Sequence, residues 1–376
     1  MRQSSAAFAS ARKSALELSL PLCFDNRPPR RQKTGALQKL AQFLLLTANA
    51  CRLELWLPSA AYELEFVPDI EVMPPYNLPS KMQSIRDIYS SKQVARRPVI
   101  SFEFFPPKTD DGELNLLEKH IPALLQAKPD FCSVTYGAGG STRDKTLMIV
   151  DRIQRQHGLT ALAHLTCVNH TREQVRELLA RIHDLGCRNI LALRGDSPDG
   201  GEFKPTPGGF EFAAQLVKFI REVGDFSIGV AGFPEGHMAC KQGKHADWRH
   251  LQEKVDAGAD YVLSQLFFDN ADFFEFRDYV AGKLGVRVPL VPGIIPILSA
   301  AQITRFTQLC GAKIPPPLRA QLDRLGNDDA AAVEFGIEYA TGQCEELLRA
   351  GAPGLHFYTL NKSHSTVQVL KNLGLA

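Results

Sequence analysis

TREQVRELLARIHDLGCRNILALRGD, residues 171–196, holds one whole unit of the pattern on which the chain is built. Val175, Leu178, Leu179, Ile182 and Leu185 recur at helical spacing and share one face, while the positions between them are mostly charged. Thr171 and Gln174 have the spacing of a capping box at the start of that helix, and Gly186 suits the turn that stops it. The run that follows, NILALRGD (189–196), reads as a strand and ends in Arg194, Gly195 and Asp196. One unit is therefore a helix, a glycine, a strand and a polar tip.

The strand half of the unit occurs eight times: VISFEFFP (99–106), FCSVTYGA (131–138), ALAHLTCV (161–168), NILALRGD, SIGVAGFP (227–234), YVLSQLFFD (261–269), LVPGIIPI (290–297) and GLHFYTLN (354–361). The same helix-glycine-strand punctuation recurs in VDAGADYVLSQ and LRAGAPGLHFY. Most runs are about thirty residues apart, the length of one β-α unit. The last gap is about twice that, with room for an extra helix around KIPPPLRAQL. Eight strands alternating with helices predict an α/β chain folded as a single (β/α)8 (TIM) barrel rather than an open doubly wound sheet. An open sheet built for a dinucleotide would carry GxGxxG after its first strand; neither that motif nor a P-loop is present.

The 376 residues, 44% of them hydrophobic, suffice for a core of that size. A formal net charge of +2 gives no electrostatic case for nucleic acid. No apolar run is long enough to cross a bilayer, so no membrane partner is expected and a cytoplasmic location is. The eight cysteines are scattered without a CxxC pair, which fits buried thiols in a reducing compartment. The nearest approach to a metal pattern is HLTCVNH, with His164, Cys167 and His170. On a strand His164 and Cys167 point to opposite faces, so no metal is expected there.

Residues 1–81 differ from the rest. The first forty hold eight Lys/Arg against two acids, followed by the apolar FLLLTANAC and a Pro-rich segment. A leader, a disordered arm, or sequence upstream of a true start at Met82 all fit this composition. The expected division is an atypical, disordered extension (1–81) and a catalytic barrel (82–376), with Met82 as the preferred start.

In a barrel of this class, chemistry gathers at the C-terminal ends of the strands. Those ends carry Glu103, Thr135 and Tyr136, His164, Arg194 to Asp196, Glu235 with His237, Gln265 with Asp269, and Tyr358 with Asn361. Asp269 and Asn361 also have the position of helix caps, as does His237. Glu103 stands in SFEFFPPK among three phenylalanines, which are expected to desolvate it and raise its pKa toward that of a general acid. The competing reading is a buried glutamate paired with a barrel Arg or Lys. Glu103 and Asp196, in different surroundings, suit a proton donor and an electrostatic stabiliser. A Schiff-base lysine at a strand end and a phosphate loop after the seventh and eighth strands are both missing, which disfavours aldolase and sugar-phosphate chemistry.

The ordered set SFEFFPPK, SVTYGAGGSTRDKT, HLTC, LRGDSP, PEGH, DAGADYVLSQLFFD, PGIIP and HFYTLNK resembles methylenetetrahydrofolate reductase, from about Val99 to the C-terminus. The resemblance implies a (β/α)8 flavoprotein that binds FAD without a Rossmann fingerprint. It implies reduction of 5,10-methylenetetrahydrofolate to 5-methyltetrahydrofolate by NADH or NADPH, ping-pong through FAD, supplying methyl groups for methionine synthesis. Glu103 and Asp196 match the catalytic positions. Thr135, Tyr136, Ala138, His164, Arg194, Gly195, Asp196, Ala213, His237, Asp247 and Lys254 match cofactor-binding positions. Asp196, Gln265, Gln302, Phe306 and Lys362 match substrate-binding positions, with Gln302 and Phe306 on one face of the helix after the seventh strand.

The sequence departs from that pattern in several places. Phe212 and Phe233 stand where tyrosine is frequent, Cys240 where a small residue is usual, His250 and Glu253 for Asn and Arg, and Lys362 for Arg. Family likeness implies a homo-oligomer. The chain ends about fifteen residues after HFYTLN, from which insensitivity to S-adenosylmethionine is expected. The alternative function is a flavin- or folate-binding barrel without turnover. Lys254 has a bland reading too, as a solvated helix charge.

Overall fold

The computed structural model describes residues 82–136, 143–197, 201 and 203–376. The expected extension, residues 1–81, and Ala138 lie outside the described residues.

Eight parallel strands close in sequence order into a barrel: β1 (Val99–Phe104), β2 (Phe131–Val134), β3 (Thr160–Thr166), β4 (Asn189–Leu193), β5 (Ser227–Gly232), β6 (Tyr261–Leu266), β7 (Leu290–Ile294) and β8 (Gly354–Tyr358). Each ends two to four residues before its apolar run does, because the polar tips leave the ladder and become loops. Helix α1 (Ile85–Val94) precedes β1. The segment between β1 and β2 is α2 (Asp110–Asn115), a π turn (Leu116–His120) and α3 (Ile121–Leu125). The later crossovers are α4 (Arg143–His157), α5 (Arg172–Asp184), α6 (Ala213–Val223), α7 (Lys244–Asp256) and α8 (Asn270–Gly282). Between β7 and β8 run α9 (Ala300–Cys310), α10 (Pro316–Leu325) and α11 (Asp329–Arg349); α12 (His364–Asn372) closes the chain. The extra helix expected around KIPPPLRAQL is α10. Thr171 and Gln174 form the capping box of α5, and Gly186 takes a φ of 80° after it.

Strand alternation decides what lies where. On β1, Ile100, Phe102 and Phe104 face outward into the layer between sheet and helices, where they join the main core. Val99, Ser101 and Glu103 have the opposite parity and face the barrel axis. The lower axis is apolar: Val99, Phe131, Leu162, Leu191, Tyr261, Leu263 and Val291 pack together with Ile85, Ile88 and Tyr89 of α1. Helix α1 thus plugs the N-terminal mouth, and the barrel supplies partners for its first turn. Ile85 N–H donates to Asn189 Oδ1 (2.8 Å) and Arg86 N–H to Ser227 Oγ (3.0 Å), meeting the unfilled donors of a helix start.

Above that layer the axis turns polar, and backbone crowding sets its shape. A Cβ on Gly293 of β7 would stand 2.3 Å from the Ser264 carbonyl oxygen and 2.7 Å from the Tyr358 ring. Tyr358 Oη donates to that same carbonyl at 2.7 Å, and Gly293 N–H donates to Ser264 Oγ at 2.9 Å. Gly293→Ala is therefore expected to lower stability by about 1–3 kcal/mol, the usual cost of overpacking, measurable as a shifted urea midpoint. An unchanged midpoint would mean that β7 yields freely.

Candidate active site

Glu103 sits on the axis of the barrel, 8% exposed, and its side-chain neighbours come from three other strands. His164 of β3 and His356 of β8 each bring Nε2 to 3.3 Å from Glu103 Oε2. Ser133 of β2 donates to the same oxygen at 3.3 Å. Behind His356, its Nδ1 lies 2.8 Å from Ser101 Oγ. The strand register explains the convergence: Glu103 pairs with Ser133 on one side and Tyr358 on the other, so these parities point to one layer.

This arrangement corrects the expectation for Glu103. Burial does push its carboxyl up, but His164, and then His356, pull it down by charge and hydrogen bonding; the balance holds it low, at about 2. The phenylalanines do not surround it, since Phe102 and Phe104 lie on the other face of β1. The partner is neither Arg nor Lys but a pair of histidines. His356, wholly buried, was not among the predicted site residues. Its signal was present: it stands two residues before Tyr358, hence on the same strand face.

A second group lies around the ends of β4 and β5 and on α7. Gly195 has a φ of 82°, and a Cβ there would come within 3.0 Å of Thr166, so glycine is needed for the turn. Arg194 is half-buried with its guanidinium 4.9 Å from the Phe203 ring centroid, and Asp196 is exposed. Lys254 reaches inward from α7 and donates to the Ala231 carbonyl of β5 at 2.6 Å. It is not a solvated helix charge: burial lowers its ammonium to about 8, with Asp247 opposing and Arg194 adding to the shift. Burial likewise lowers His237, which feels Arg194, Asp247, Asp196 and Lys254 at once. Those five charged or polar groups therefore form one electrostatic neighbourhood. His237 does not cap α7; its Nδ1 accepts from Ala239 N–H at 3.0 Å, and Gly243 occupies the cap. Ala213 is the first residue of α6.

The other predicted residues are distributed around the same rim. Tyr136 Oη lies 3.1 Å from His170 Nε2, and His170 Nδ1 lies 2.6 Å from the Val168 carbonyl oxygen. Thr135 N–H donates to the Phe104 carbonyl at 2.8 Å, and its own carbonyl accepts from Thr146. Gln265 turns its Oε1 back to Leu266 N–H and lines a shallow cleft with Phe233, Glu235 and Cys310. Gln302 and Phe306 share a face of α9, and Gln302 Oε1 is buried without a hydrogen-bond partner. Lys362 is exposed. Asp269 caps α8 as expected, but Asn361 does not cap α12: it grips Phe105, accepting from its N–H (3.0 Å) and donating to its carbonyl (2.7 Å). Cys240 and His250, two of the departures from the resembled pattern, meet at Asp247.

The donor set around β4, β5 and α7 fits a dinucleotide such as FAD. Arg194 and Lys254 supply positive charge and His237 a donor for a diphosphate, and Asp247 and Asp196 supply acceptors for sugar hydroxyls. The inward amine of Lys254, which among the described residues meets the Ala231 carbonyl and no carboxylate at bonding distance, is the observation that favours an anionic guest.

Comparison with known proteins identifies the family. The family described as methylenetetrahydrofolate reductase matches residues 87–374. Among curated relatives, methylenetetrahydrofolate reductase (NADH) 1 of Arabidopsis thaliana is 42% identical over 286 residues, covering 73% of this chain and 48% of its own length. The 5,10-methylenetetrahydrofolate reductase of Pectobacterium carotovorum subsp. carotovorum is 40% identical over 276 residues, covering 73% of this chain and 90% of its own. The chain thus spans about half the length of the plant relatives it matches. A solved structure, an uncharacterized protein from Clostridium thermocellum that binds two copies of 5-methyl-5,6,7,8-tetrahydrofolic acid, superposes with a TM-score of 0.54. At 17% identity, over 77% of this chain and 97% of that one, it supports the fold alone. The chain belongs to the methylenetetrahydrofolate reductase family.

Proposed function

We propose that the protein reduces 5,10-methylenetetrahydrofolate to 5-methyltetrahydrofolate with NADH as reductant, through FAD held at the β4–β5–α7 rim. The observation that carries this reading is the buried Glu103 between two histidines on the axis of a barrel from this family. FAD, when bound, supplies the redox centre that takes a hydride from the nicotinamide and gives it up to the folate. Arg194, His237 and Lys254 would bind its diphosphate, Asp247 a sugar hydroxyl, and Tyr136, Thr135, His164, Gly195 and Ala213 would shape the surrounding surface. Asp196, Gln265, Gln302, Phe306 and Lys362 contact the folate, and Gln302 Oε1, buried and unpartnered, is available to a pterin amide.

Overall reduction consumes one hydride and one proton, and the proton falls to the Glu103 cluster. With its carboxyl held at about 2, Glu103 alone carries no proton at neutral pH. To donate that proton Glu103 must be raised on ligand binding, by covering its last exposed surface or by weakening its contacts to His164 and His356. The functional unit is the 82–376 barrel, working in the cytoplasm as a homo-oligomer and providing methyl groups for methionine.

The test is an anaerobic titration of the full chain: an oxidised flavin spectrum bleached by NADH and restored by methylenetetrahydrofolate, with 5-methyltetrahydrofolate formed. A chain that holds FAD but is not reoxidised by the folate would instead support the binding barrel without turnover. Lys254→Met tests the cofactor cradle separately. Loss of one charge-assisted contact, about 1.5–3 kcal/mol, should weaken FAD binding roughly 10- to 100-fold. An unaltered FAD affinity by fluorescence titration would remove Lys254 from the cradle.

A further inference from the structure

We propose that Cys240, Asp247 and His250 form a binding site for one borderline-soft divalent cation, zinc foremost. One ligand atom from each, a thiol sulfur, a carboxylate oxygen and an imidazole nitrogen, all lie within 4.8 Å of one another. Ligands at about 2.0–2.3 Å from a tetrahedral zinc stand roughly 3.3–3.8 Å apart, so side-chain rotation of about 1 Å closes the site. Cys240 and Asp247 are half-buried and His250 is exposed, so the side chains are free to make that movement.

The backbone holds the three residues in place before any cation arrives. Asp247 and His250 stand three positions apart on α7 and are therefore neighbours on its surface. The rotation of α7 is fixed between them by Trp248, fully buried, whose Nε1 donates to the Phe233 carbonyl at 2.8 Å. Cys240 comes from the turn before the helix. That turn is tied down by Cys240 N–H to the His237 carbonyl (2.8 Å), Gly243 N–H to the Cys240 carbonyl (3.2 Å) and Asp247 N–H to the Gly243 carbonyl (3.2 Å). Gly243 has a φ of 86°, and Gly236 approaches the Lys244 backbone so closely that a Cβ would stand 2.7 Å from Lys244 Cα. Cys240 Sγ now makes only long contacts, to Gln242 Oε1 at 3.5 Å and the Gly243 carbonyl at 3.7 Å, which a metal bond displaces readily.

The donor chemistry selects the ion. Thiolate with imidazole and carboxylate suits zinc or cobalt(II), whereas magnesium and calcium require an oxygen shell. Three protein ligands leave the fourth position to water. The site shares Asp247 with the charged group described above, so a cation there competes with a sugar hydroxyl for that carboxylate and removes the charge that now offsets Lys254.

Cobalt(II) titration of the reduced, metal-stripped full chain reads the site directly. One equivalent should give the visible bands of a tetrahedral ion and a near-ultraviolet thiolate-to-cobalt band, both reversed by zinc. Cys240→Ser should abolish the thiolate band, and His250→Asn should keep it while weakening affinity about tenfold or more. Circular dichroism of both variants should match the parent, since both side chains lie on a surface turn and an open helix face. Binding that survives unchanged in the Cys240→Ser/His250→Asn double variant, or a titration with no thiolate band, would overturn the proposal.

Discussion

Glu103→Gln is expected to leave reduction of the bound flavin by NADH within about twofold of the parent while slowing its reoxidation by methylenetetrahydrofolate about 10²- to 10⁴-fold, the range of a general acid. The substitution preserves shape and burial and removes the carboxylate's charge together with its ability to carry a proton. Hydride transfer from nicotinamide needs no proton from the protein, whereas opening the folate ring leaves a nitrogen that must gain one. Stopped-flow measurement of the two half-reactions separates the cases. Equal loss in both would make Glu103 a structural residue.

A further consequence concerns pH. Glu103 is ionised and held at about 2 in the folded chain against 4.5 ordinarily. A carboxyl whose folded pKa is depressed adds stability above its unfolded pKa and loses it as pH falls through the folded one. That contribution is full above about pH 4.5 and gone near pH 2. A shift of this size corresponds to about 3 kcal/mol, and Glu103→Gln should flatten the stability profile in that window.

The barrel was legible because most of its units repeat three independent signals: an apolar helical stripe, a glycine and a β-rich run. TREQVRELLARIHDLG alone specifies its cap, its buried face and its stop, and all three appear in α5. Strand ends were less legible, since NILALRGD and HFYTLN continue in residue type where the ladder has already stopped. The misjudged environment of Glu103 has a simple physical origin. Proximity in sequence was read as proximity in space, but neighbours along a strand face opposite ways, and the residues that touch Glu103 lie 30, 61 and 253 positions away. The same limit hid His356: its shared face with Tyr358 marks it as facing the axis, but nothing beside it in sequence marks the carboxylate it meets. Cys240, Asp247 and His250 escaped notice because their spacing crosses from a turn into a helix, where neither strand nor helix periodicity applies.

His356→Leu is expected to cost about 3 kcal/mol, near the 3–5 kcal/mol of a broken buried pair. For a chain of this size that lowers the melting temperature by roughly 10 °C. Leucine fills a similar volume, so packing against Phe131, whose ring stacks on His356 at 6.4 Å, is largely kept. What is lost is one of the two imidazoles facing Glu103 and the partner of Ser101 Oγ. The cost should therefore depend on charge. In a Glu103→Gln background no carboxylate is left short of a partner, and His356→Leu should cost at least about 1 kcal/mol less, a coupling typical of contacting residues. The cost should also depend on pH. Without His356 the carboxyl is held less low, so the difference between parent and variant is greatest above about pH 4.5 and shrinks toward pH 2, where Glu103 is protonated in both. A penalty that is the same at every pH and in both backgrounds would mean that His356 acts through packing alone, leaving His164 as the only electrostatic partner of the buried carboxylate.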